Sequence, residues 1–331
     1  MPQEDLITVT PRGLHCAAGG FYIDPWQPVS RALITHAHGD HLRVGSSEYY
    51  LASAGARLAR LRLPADAVVH PLDYGQHVNF GDTRVSFHPA GHILGSAQVR
   101  VERAGEVWVI SGDYKRDPDP TCTPFEVVPC DVFISEATFA LPAYRWSETA
   151  TVAREILSWW HDNRSRGLAS VLFAYALGKA QRVLAELEPL TDEAVYVHGA
   201  VAALTDVYRA HGISMLKTLP ATVAGRADYA DALILAPPSA AGSAWMRRFG
   251  DHRTGFCSGW MRIRGDRRRR GYDRGFVLSD HADWPSLLRT CHDSGARRIL
   301  LTHGYADALC RYLCEQGVEA ASLRTEYGAE E

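Results

Sequence analysis

Short apolar runs alternate with polar clusters along the chain, and six of these runs end in a cluster that contains His, Asp or Glu. Each run is rich in Val, Ile, Leu or Phe and is bounded by Gly, Ser, Asp or Pro, which predicts a buried strand followed by a loop. The six segments are RALITHAHGDH (31–41), VSFHPAGH (85–92), VWVISGD (107–113), DVFISEA (131–137), GFVLSDHAD (275–283) and RILLTHGY (298–305). Because ligands of layered α/β proteins gather where strands end, we expect these six loops to face one site.

A block with a different pattern lies between the fourth and the fifth of these segments. Its first part, residues 149–160, has apolar residues at helical spacing, with Thr149 or Thr151 as the N-cap. Strand-like and helix-like segments then alternate in the order SVLFAYA (170–176), KAQRVLAELEPL (179–190), AVYVH (194–198), AVAALTDVYRAHG (200–212) and DALILAP (231–237). This alternation indicates parallel βαβ units and an α/β fold. The expected domains are a first part of a main domain at 1–145, an inserted domain at 146–250, and a closing part of the main domain at 251–331.

The composition limits the classes of protein to which the chain can belong. A chain of 331 residues with 46% hydrophobic residues can form two packed cores, which excludes an intrinsically disordered chain. The formal net charge of −3 gives no overall sign of a polyanion-binding protein, although local patches stay open. Seven cysteines, an odd number without a CxxC pair, indicate reduced thiols in a cytoplasmic protein. The sequence shows no leader pattern and no apolar window of about 18 residues, so we expect no membrane contact.

The stretch THAHGDH, residues 35–41, concentrates three histidines and one aspartate in seven positions. His36, His38 and Asp40 alternate, so on a loop that leaves a strand they can turn to one side and hold one ion. His41 can then turn towards a second ion. Zinc accepts imidazole nitrogen and carboxylate oxygen, and a catalytic zinc site keeps one position open. Two ions need further ligands, and the candidates at other strand ends are His92, Asp113 and His303.

A basic run, GWMRIRGDRRRRGYDRGF, occupies residues 259–276 and contains seven arginines. Most charge runs are solvated surface loops, and this interpretation stays open. The run lies directly before LSDHAD, however, so its arginines could follow a nucleic-acid backbone, with Trp260 and Tyr272 as faces for stacking bases. The candidate phosphate-contacting arginines in this run are Arg262, Arg264, Arg267, Arg268, Arg269 and Arg270, and Arg274 could follow the backbone as well.

The motifs at the strand ends resemble those of a known superfamily. HAHGDH, the GH pair at 91–92 and SGD at 111–113 together resemble the metallo-β-lactamase superfamily. SEATFA with Glu136, LSDHADW with His281 and LTHGY with His303 resemble motifs A, B and C of its β-CASP branch. Members of that branch are nucleases of RNA processing and of DNA repair. The resemblance implies a metallo-β-lactamase αββα sandwich with an inserted α/β β-CASP domain.

Two longer stretches narrow the resemblance further. Residues 13–41 and 172–184 are most similar to the bacterial DNA-ligase-associated exonucleases of this branch, which implies an ATP-dependent DNA ligase and a helicase as partners. The histidine at position 303 points the other way, because cross-link-repair nucleases commonly have an apolar residue there. With this histidine, the set of candidate metal ligands resembles that of the RNA-processing members. The preference for DNA or RNA therefore stays open.

The resemblance also implies a role for each candidate ligand. The first metal is expected to bind His36, His38 and His92, the second Asp40, His41 and His303, with Asp113 bridging the two. The family metal is usually zinc, and manganese accepts the same donors. Asp40 is also expected to orient the attacking water. His281, held protonated by Glu136, is expected to give a proton to the leaving oxygen. The alternative for this pair is a structural contact that closes a seam between domains.

The inserted block offers a candidate phosphate site. Lys179 follows Gly178 between a predicted strand and a predicted helix, where N–H groups and an ammonium can receive a phosphate, and Arg182 follows in the same helix. Taken together, these features favour a two-metal-dependent nuclease, and within that class a DNA exonuclease that acts in repair at a cleft between domains. The alternatives are an RNA-processing nuclease of the same fold, a small-molecule metallohydrolase, and a non-catalytic nucleic-acid-binding subunit.

Overall fold

The computed structural model describes residues 5–222, 225–263 and 271–323. The chain forms two compact units, one from Met1–Pro142 together with His281–Glu331, and one from Ala143–Asp280. The second unit therefore extends to Asp280, further than the inserted domain expected at 146–250. The expected boundary was wrong because two strands beyond residue 250 pair within the sheet of the second unit.

The first unit contains two sheets, and one of them comes from its N-terminal part. Numbered along the chain, its strands are β1 (Thr8–Thr10), β2 (Gly13–Cys16), β3 (Phe21–Ile23), β4 (Arg31–Ile34), β5 (Glu48–Ala52) and β6 (Val68–Leu72), which lie side by side in this order. Strands β1 to β3 pair antiparallel, and β3 to β6 pair parallel. The short helix α1 (Ala56–Arg60) connects β5 to β6.

The second sheet of this unit combines strands from both ends of the chain. Its strands are β7 (His77–Phe80), β8 (Thr83–Pro89), β9 (Ala97–Arg103), β10 (Glu106–Ile110), β11 (Val132–Glu136), β18 (Arg298–Thr302) and β19 (Glu319–Ser322). They lie in the order β19-β18-β11-β10-β9-β8-β7. Strand β18 pairs parallel with β11, in a register that joins Ile134 to Leu300. The helices α5 (Trp284–Asp293) and α6 (Ala306–Glu315) flank β18 in the sequence.

The two sheets share one hydrophobic core. Phe21 and Leu33 of the first sheet and Val99 of the second are fully buried in it. The centre of strand β18 is apolar because both faces of the strand are covered: Leu300 lies in this core, whereas Leu301 packs with α5 and α6 on the opposite face. A strand covered on both faces has no solvated side, so a continuous apolar run is the expected sequence. These layers hold the polar loops at the ends of the strands.

The second unit is built around a single parallel sheet. Its strands are β12 (Ala169–Phe173), β13 (Val195–Val197), β14 (Thr218–Pro220), β15 (Leu233–Ala236), β16 (His252–Cys257) and β17 (Arg274–Phe276), in the order β14-β13-β15-β12-β16-β17. The helices α2 (Thr149–Arg164), α3 (Lys179–Leu187) and α4 (Gly199–Ala210) alternate with the first of these strands. All neighbouring strands pair parallel, as the predicted βαβ alternation requires. Strand β16 pairs with the central strand β12, which is why the unit continues beyond residue 250.

Short 3-10 helices connect several elements, at Ser53–Gly55, Glu188–Leu190, Arg226–Tyr229, Pro238–Ala240, Ala244–Phe249 and Gly259–Arg262. The seven cysteines are thiols and are not joined in disulfides, as the sequence predicted. Among the residues that the structure describes, no helix combines the length and the apolar composition needed to span a lipid bilayer.

Candidate metal centre

The predicted metal ligands lie in loops that directly follow strands of the first unit. The HAHGDH loop follows β4, and the loop of His92 follows β8. Asp113 follows β10, and His303 follows β18. The approach of two of these loops depends on Gly112, which has φ +55° and would place a Cβ only 2.6 Å from the Cβ of Thr35. Glycine therefore allows the loop of Asp113 to pass close beside the loop of the histidines.

Four of the predicted ligands form one compact cluster. His36, His38, His92 and Asp113 each offer a ligand atom, and these atoms all lie within 4.8 Å of one another. The Nε2 atom of His36 lies 3.0 Å from Nδ1 of His38, which lies 3.2 Å from Nε2 of His92. Oδ2 of Asp113 lies 3.5 Å from Nε2 of His36. Three imidazoles and a carboxylate directed at one point are a donor set that can hold a divalent cation.

The remaining predicted ligands lie on the other side of Asp113. Nε2 of His41 lies 3.4 Å from Oδ2 of Asp113 and 3.6 Å from Oδ2 of Asp40. The ring of His303 lies 5.8 Å from the ring of His41, and Asp40, His41 and His303 line one small cavity. The structure therefore brings all seven predicted ligands together, with Asp113 between the two groups. His303 has φ +61°, a left-handed conformation that is uncommon outside glycine and typical of functional sites.

The charges around Asp113 suit a cation. Burial opposes ionisation of Asp113, but the charges of His41 and His281 outweigh it and hold the pKa of this carboxyl well below its usual range. Burial, together with the charge of His41, lowers the pKa of His36 well below the ordinary value and keeps this imidazole neutral. An ionised carboxylate and neutral imidazoles are the forms that bind metal. The pKa of His41 is raised well above its ordinary value, because the carboxylates of Asp113, Asp24 and Asp40 outweigh its burial.

Asp24 is a residue of the centre that the sequence pattern did not identify. Its Oδ2 atom lies 2.7 Å from Nδ1 of His41 and accepts a hydrogen bond of 2.6 Å from the hydroxyl of Thr35. Its Oδ1 accepts the backbone N–H of Thr35 at 2.8 Å. A carboxylate can only accept, so Nδ1 of His41 carries the proton and Nε2 is directed towards Asp113. The Thr35 hydroxyl donates to Asp24 and can therefore accept from Nδ1 of His36, which lies 3.1 Å away. The ring of His36 is thus oriented in the same way as that of His41.

Removal of the Asp24 charge is therefore expected to weaken metal binding. We expect Asp24→Asn to lower the affinity for the second metal by about tenfold to a hundredfold, because carboxylates that orient metal-binding histidines contribute on that scale. The measurement is competition between the metal-free protein and a chromophoric chelator. Asp82→Asn, which changes an exposed carboxylate paired with Arg103, is the matched control. Equal affinities in the two variants would show that Asp24 does not support the centre.

Glu136 and His281 form a pair beside the cluster, as the sequence predicted. Nδ1 of His281 lies 2.8 Å from Oε2 of Glu136, and ligand atoms of Asp113, Glu136 and His281 lie within 4.8 Å of one another. Glu136 is buried and also accepts the backbone N–H of Tyr114 at 2.7 Å and the hydroxyl of Thr138 at 2.6 Å. These bonds fix the carboxylate, and through it the imidazole. The side chain of His281 is 23% exposed, so this ring remains accessible to a substrate.

Lys179 and Arg182, predicted to contact phosphates, lie instead in a buried ion-pair cluster. Nζ of Lys179 lies 2.7 Å from Oδ1 of Asp280, and Nη1 of Arg182 lies 3.3 Å from the same oxygen. Arg182 also donates to the hydroxyl of Thr149 and to the carbonyl of Ser279. Both cations are buried, and burial lowers the pKa of Lys179 to about 8. The prediction of a phosphate contact by these two residues is therefore corrected, because both are buried and share the carboxylate of Asp280 as an ion-pair partner within the fold.

The basic run is described only at its two ends. Arg262 is exposed, and its Nε donates to the carbonyl of Ala143 at 3.3 Å. Trp260 packs edge-on to Tyr144, and Tyr272 stacks on Phe256 at 5.0 Å, so both rings already have aromatic partners. The other predicted arginines, Arg264, Arg267, Arg268, Arg269 and Arg270, lie outside the described residues.

Some of the relatives of this chain are named as a DNA ligase and others as endoribonucleases. The sequence matches no protein-family model. It is 36% identical over 321 residues to a protein of Opitutus terrae named Probable DNA ligase, which amounts to 94% of this chain and 30% of that protein. It is 28% identical over 175 residues to Endoribonuclease YSH1 of Saccharomyces cerevisiae, which amounts to 51% of this chain and 22% of that protein. The chain thus spans less than a third of the length of either relative.

One solved structure supports the fold over most of the chain. The crystal structure of a protein of unknown function from Enterococcus faecalis V583 is similar with a TM-score of 0.56, covering 91% of this chain and 80% of that chain. Its sequence identity is 11%, so the likeness concerns the α/β fold alone.

Proposed function

Because the chain belongs to the β-CASP branch of the metallo-β-lactamase superfamily, we propose that it hydrolyses phosphodiester bonds of nucleic acid at a two-metal centre. The observation that carries the proposal is the convergence of His36, His38, His92 and Asp113, whose ligand atoms lie within 4.8 Å of one another. The pair of Glu136 and His281 beside this cluster provides an imidazole next to the reaction site. The sandwich of two sheets with outer helices agrees with the αββα architecture that this family implies.

The donor set fits two divalent cations. We propose that His36, His38 and His92 hold the first and that His41, Asp40 and His303 hold the second, with Asp113 shared. Imidazole and carboxylate donors favour zinc and also accept manganese. When bound, two such cations supply positive charge that stabilises hydroxide and the oxygens of a phosphodiester.

Two side chains then act on the water and on the substrate, and a third side chain positions one of them. The attacking water first loses one proton to solvent and becomes hydroxide. Asp40, whose side chain is 34% exposed, accepts a hydrogen bond from this hydroxide and so directs the lone pair of the hydroxide oxygen towards phosphorus. His281 donates a proton to the oxygen that leaves. Glu136 positions His281, because the carboxylate accepts from Nδ1 and leaves Nε2 as the nitrogen for the proton transfer. An oxygen that receives a proton during bond cleavage leaves as a neutral alcohol rather than as an alkoxide.

Within this class we propose a DNA exonuclease that acts in repair in the cytoplasm, together with an ATP-dependent DNA ligase and a helicase. The match to a protein named Probable DNA ligase, over 94% of this chain, supports the DNA assignment. RNA processing is the second candidate, because relatives named Endoribonuclease YSH1 match as much as 51% of this chain. The histidine at position 303 also favours the RNA-processing candidate, since cross-link-repair nucleases commonly have an apolar residue in its place.

One assay tests the proposal against its alternatives. The purified chain is incubated with zinc or manganese and with end-labelled DNA and RNA strands that carry either a hydroxyl or a phosphate at each end. We expect cleavage of at least one strand and about two metal ions per chain. Hydrolysis of a chromogenic lactam without any strand cleavage would favour a small-molecule hydrolase. Strand binding without bound metal and without cleavage would favour a non-catalytic subunit.

The basic run is proposed to bind the nucleic-acid backbone. We expect simultaneous replacement of Arg267, Arg268, Arg269 and Arg270 by Gln to weaken binding of a single strand and to flatten its salt dependence. The slope of log Kd against log salt should fall by about 0.7 for each phosphate that the protein no longer neutralises. The measurement is fluorescence anisotropy at several salt concentrations. The control is Arg311→Gln, which changes an exposed arginine of α6 that is paired with Glu315. An equal slope in both variants would show that the basic run does not contact the nucleic acid.

A further inference from the structure

A guanidinium without a described partner lies at the edge of the metal centre. Arg62 is exposed, and among the residues that the structure describes its guanidinium has neither a hydrogen bond nor an ion pair. Its Nη1 atom nevertheless lies only 3.1 Å from the point that a Cβ on Gly39 would occupy. Gly39 is the exposed residue between His38 and Asp40. The guanidinium therefore lies against the bare backbone of the metal-binding loop.

The backbone holds Arg62 at this place. Leu58 and Ala59 of α1 are buried, as is Leu63 directly after Arg62. The backbone N–H groups of Arg62 and Leu63 both donate to the carbonyl of Ala59, at 3.0 Å and 2.9 Å. The turn at the end of α1 is thus anchored on both sides. Only the long side chain of Arg62 extends from it towards the loop.

The charges around Arg62 indicate what it can bind. Partial desolvation of the guanidinium lowers the pKa of Arg62, and the carboxylate of Asp40 opposes this shift, yet the two groups form no direct ion pair within the described part of the chain. The segment ARLARLRL, residues 56–63, contains three arginines and no acidic residue, so its local charge is positive. An exposed guanidinium that lies next to the candidate metal centre, and whose donors have no partner among the described residues, suits an anion with several oxygens.

We propose that Arg62 binds a phosphate of the nucleic-acid substrate next to the bond that is cleaved. This inference rests on the proposed nuclease function and adds a substrate-contacting residue to it. The planar guanidinium can donate two parallel hydrogen bonds to the two free oxygens of one phosphodiester. A strand held at this phosphate has its next linkage within reach of His38 and Asp40, the exposed side of the metal-binding loop.

The test measures binding in the absence of metal, so that it does not depend on the activity of the loaded enzyme. A labelled single strand is titrated with wild type, Arg62→Gln and Arg84→Gln in EDTA, and Kd is read by anisotropy. Arg84 is an exposed arginine near the start of β8, at the opposite end of that strand from the loop of His92, and is the matched control. Loss of a charged hydrogen-bonding group should raise Kd about tenfold to a hundredfold in Arg62→Gln, and less than about twofold in the control.

A chemically altered strand identifies the phosphate. In a series of strands, one phosphate at a time is replaced by a neutral methylphosphonate. At one position, and only there, wild type and Arg62→Gln should bind equally, because the partner of the guanidinium has lost its charge. Arg62→Lys should recover only part of the affinity, since an ammonium cannot donate the parallel pair.

The outcomes separate this inference from the proposed function. If wild type cleaves strands but Arg62→Gln binds them as tightly as Arg84→Gln does, the assignment of Arg62 is wrong and the nuclease proposal stands. If Arg62→Gln loses metal when loaded with zinc, Arg62 supports the metal-binding loop and the assignment is again wrong. If the predicted Kd changes occur but no strand is cleaved with any metal, Arg62 binds phosphate and the nuclease proposal fails.

Discussion

Asp113→Asn is expected to abolish nucleic-acid hydrolysis, with a loss in kcat/KM of at least about a thousandfold, equivalent to about 4 kcal/mol. The carboxylate of Asp113 is the one group between both sets of described ligands: its Oδ2 lies 3.4 Å from His41, 3.5 Å from His36 and 3.7 Å from His92. An amide has nearly the same shape but carries no negative charge, and it cannot neutralise two cations. We therefore expect the variant to fold and to bind strands, yet to hold fewer than two metal ions.

The measurement combines the rate of cleavage of an end-labelled strand with the metal content of the purified protein. Asp117→Asn is the matched control, because Asp117 is exposed, lies four residues further along the same loop and is outside the cluster. It should keep both full activity and full metal content. An Asp113→Asn variant that cleaves at the wild-type rate would contradict the two-metal centre and, with it, the proposed function.

Loss of the imidazole of His281 is expected to give the second large effect. His281→Ala should lower kcat by about a hundredfold to ten-thousandfold, which is the usual contribution of a positioned general acid. Glu136→Gln should lower kcat less than His281→Ala does. The imidazole loses the carboxylate that accepts from its Nδ1, so its orientation towards the leaving oxygen is less well fixed.

A substrate with a better leaving group distinguishes proton donation from a purely structural role. A nucleotide ester of p-nitrophenol releases a phenolate that needs no proton, so His281→Ala should cleave it almost as fast as wild type does. His88→Ala and Glu126→Gln, which alter a His–carboxylate pair of 3.1 Å outside the cluster, are the matched controls. If His281→Ala is equally impaired on both substrates, the pair of Glu136 and His281 only maintains the structure.

The side chains that converge at the candidate metal centre were recognisable in the sequence because each of them follows an apolar run. Strand β18 reads RILLT, with both faces covered, and His303 follows it immediately. Such runs are recognisable without knowledge of their partners. Asp24 was not recognisable, since it follows β3, a strand of only three residues, and its contact with His41 arises only after the first sheet has formed.

Tertiary contacts explain where the sequence-based predictions failed. Strand β16, HRTGFC, begins with three polar residues and lacks the apolar run by which the other central strands were found. Its pairing with β12 places it in the second unit and moves the boundary to Asp280. Lys179 and Arg182 were assigned to phosphate because a Gly-Lys pair opens a helix. Their actual partner, Asp280, lies about a hundred residues later, and local pattern does not reveal such a partner.

The discontinuous origin of the sheet that contains β11 and β18 has a consequence for the life of the nascent polypeptide. A ribosome that has translated as far as Asp280 has synthesised the histidines of the N-terminal loops but neither His281 nor His303. In the proposed mechanism, one metal ligand and the proton donor are therefore absent until His303 and His281 have been synthesised.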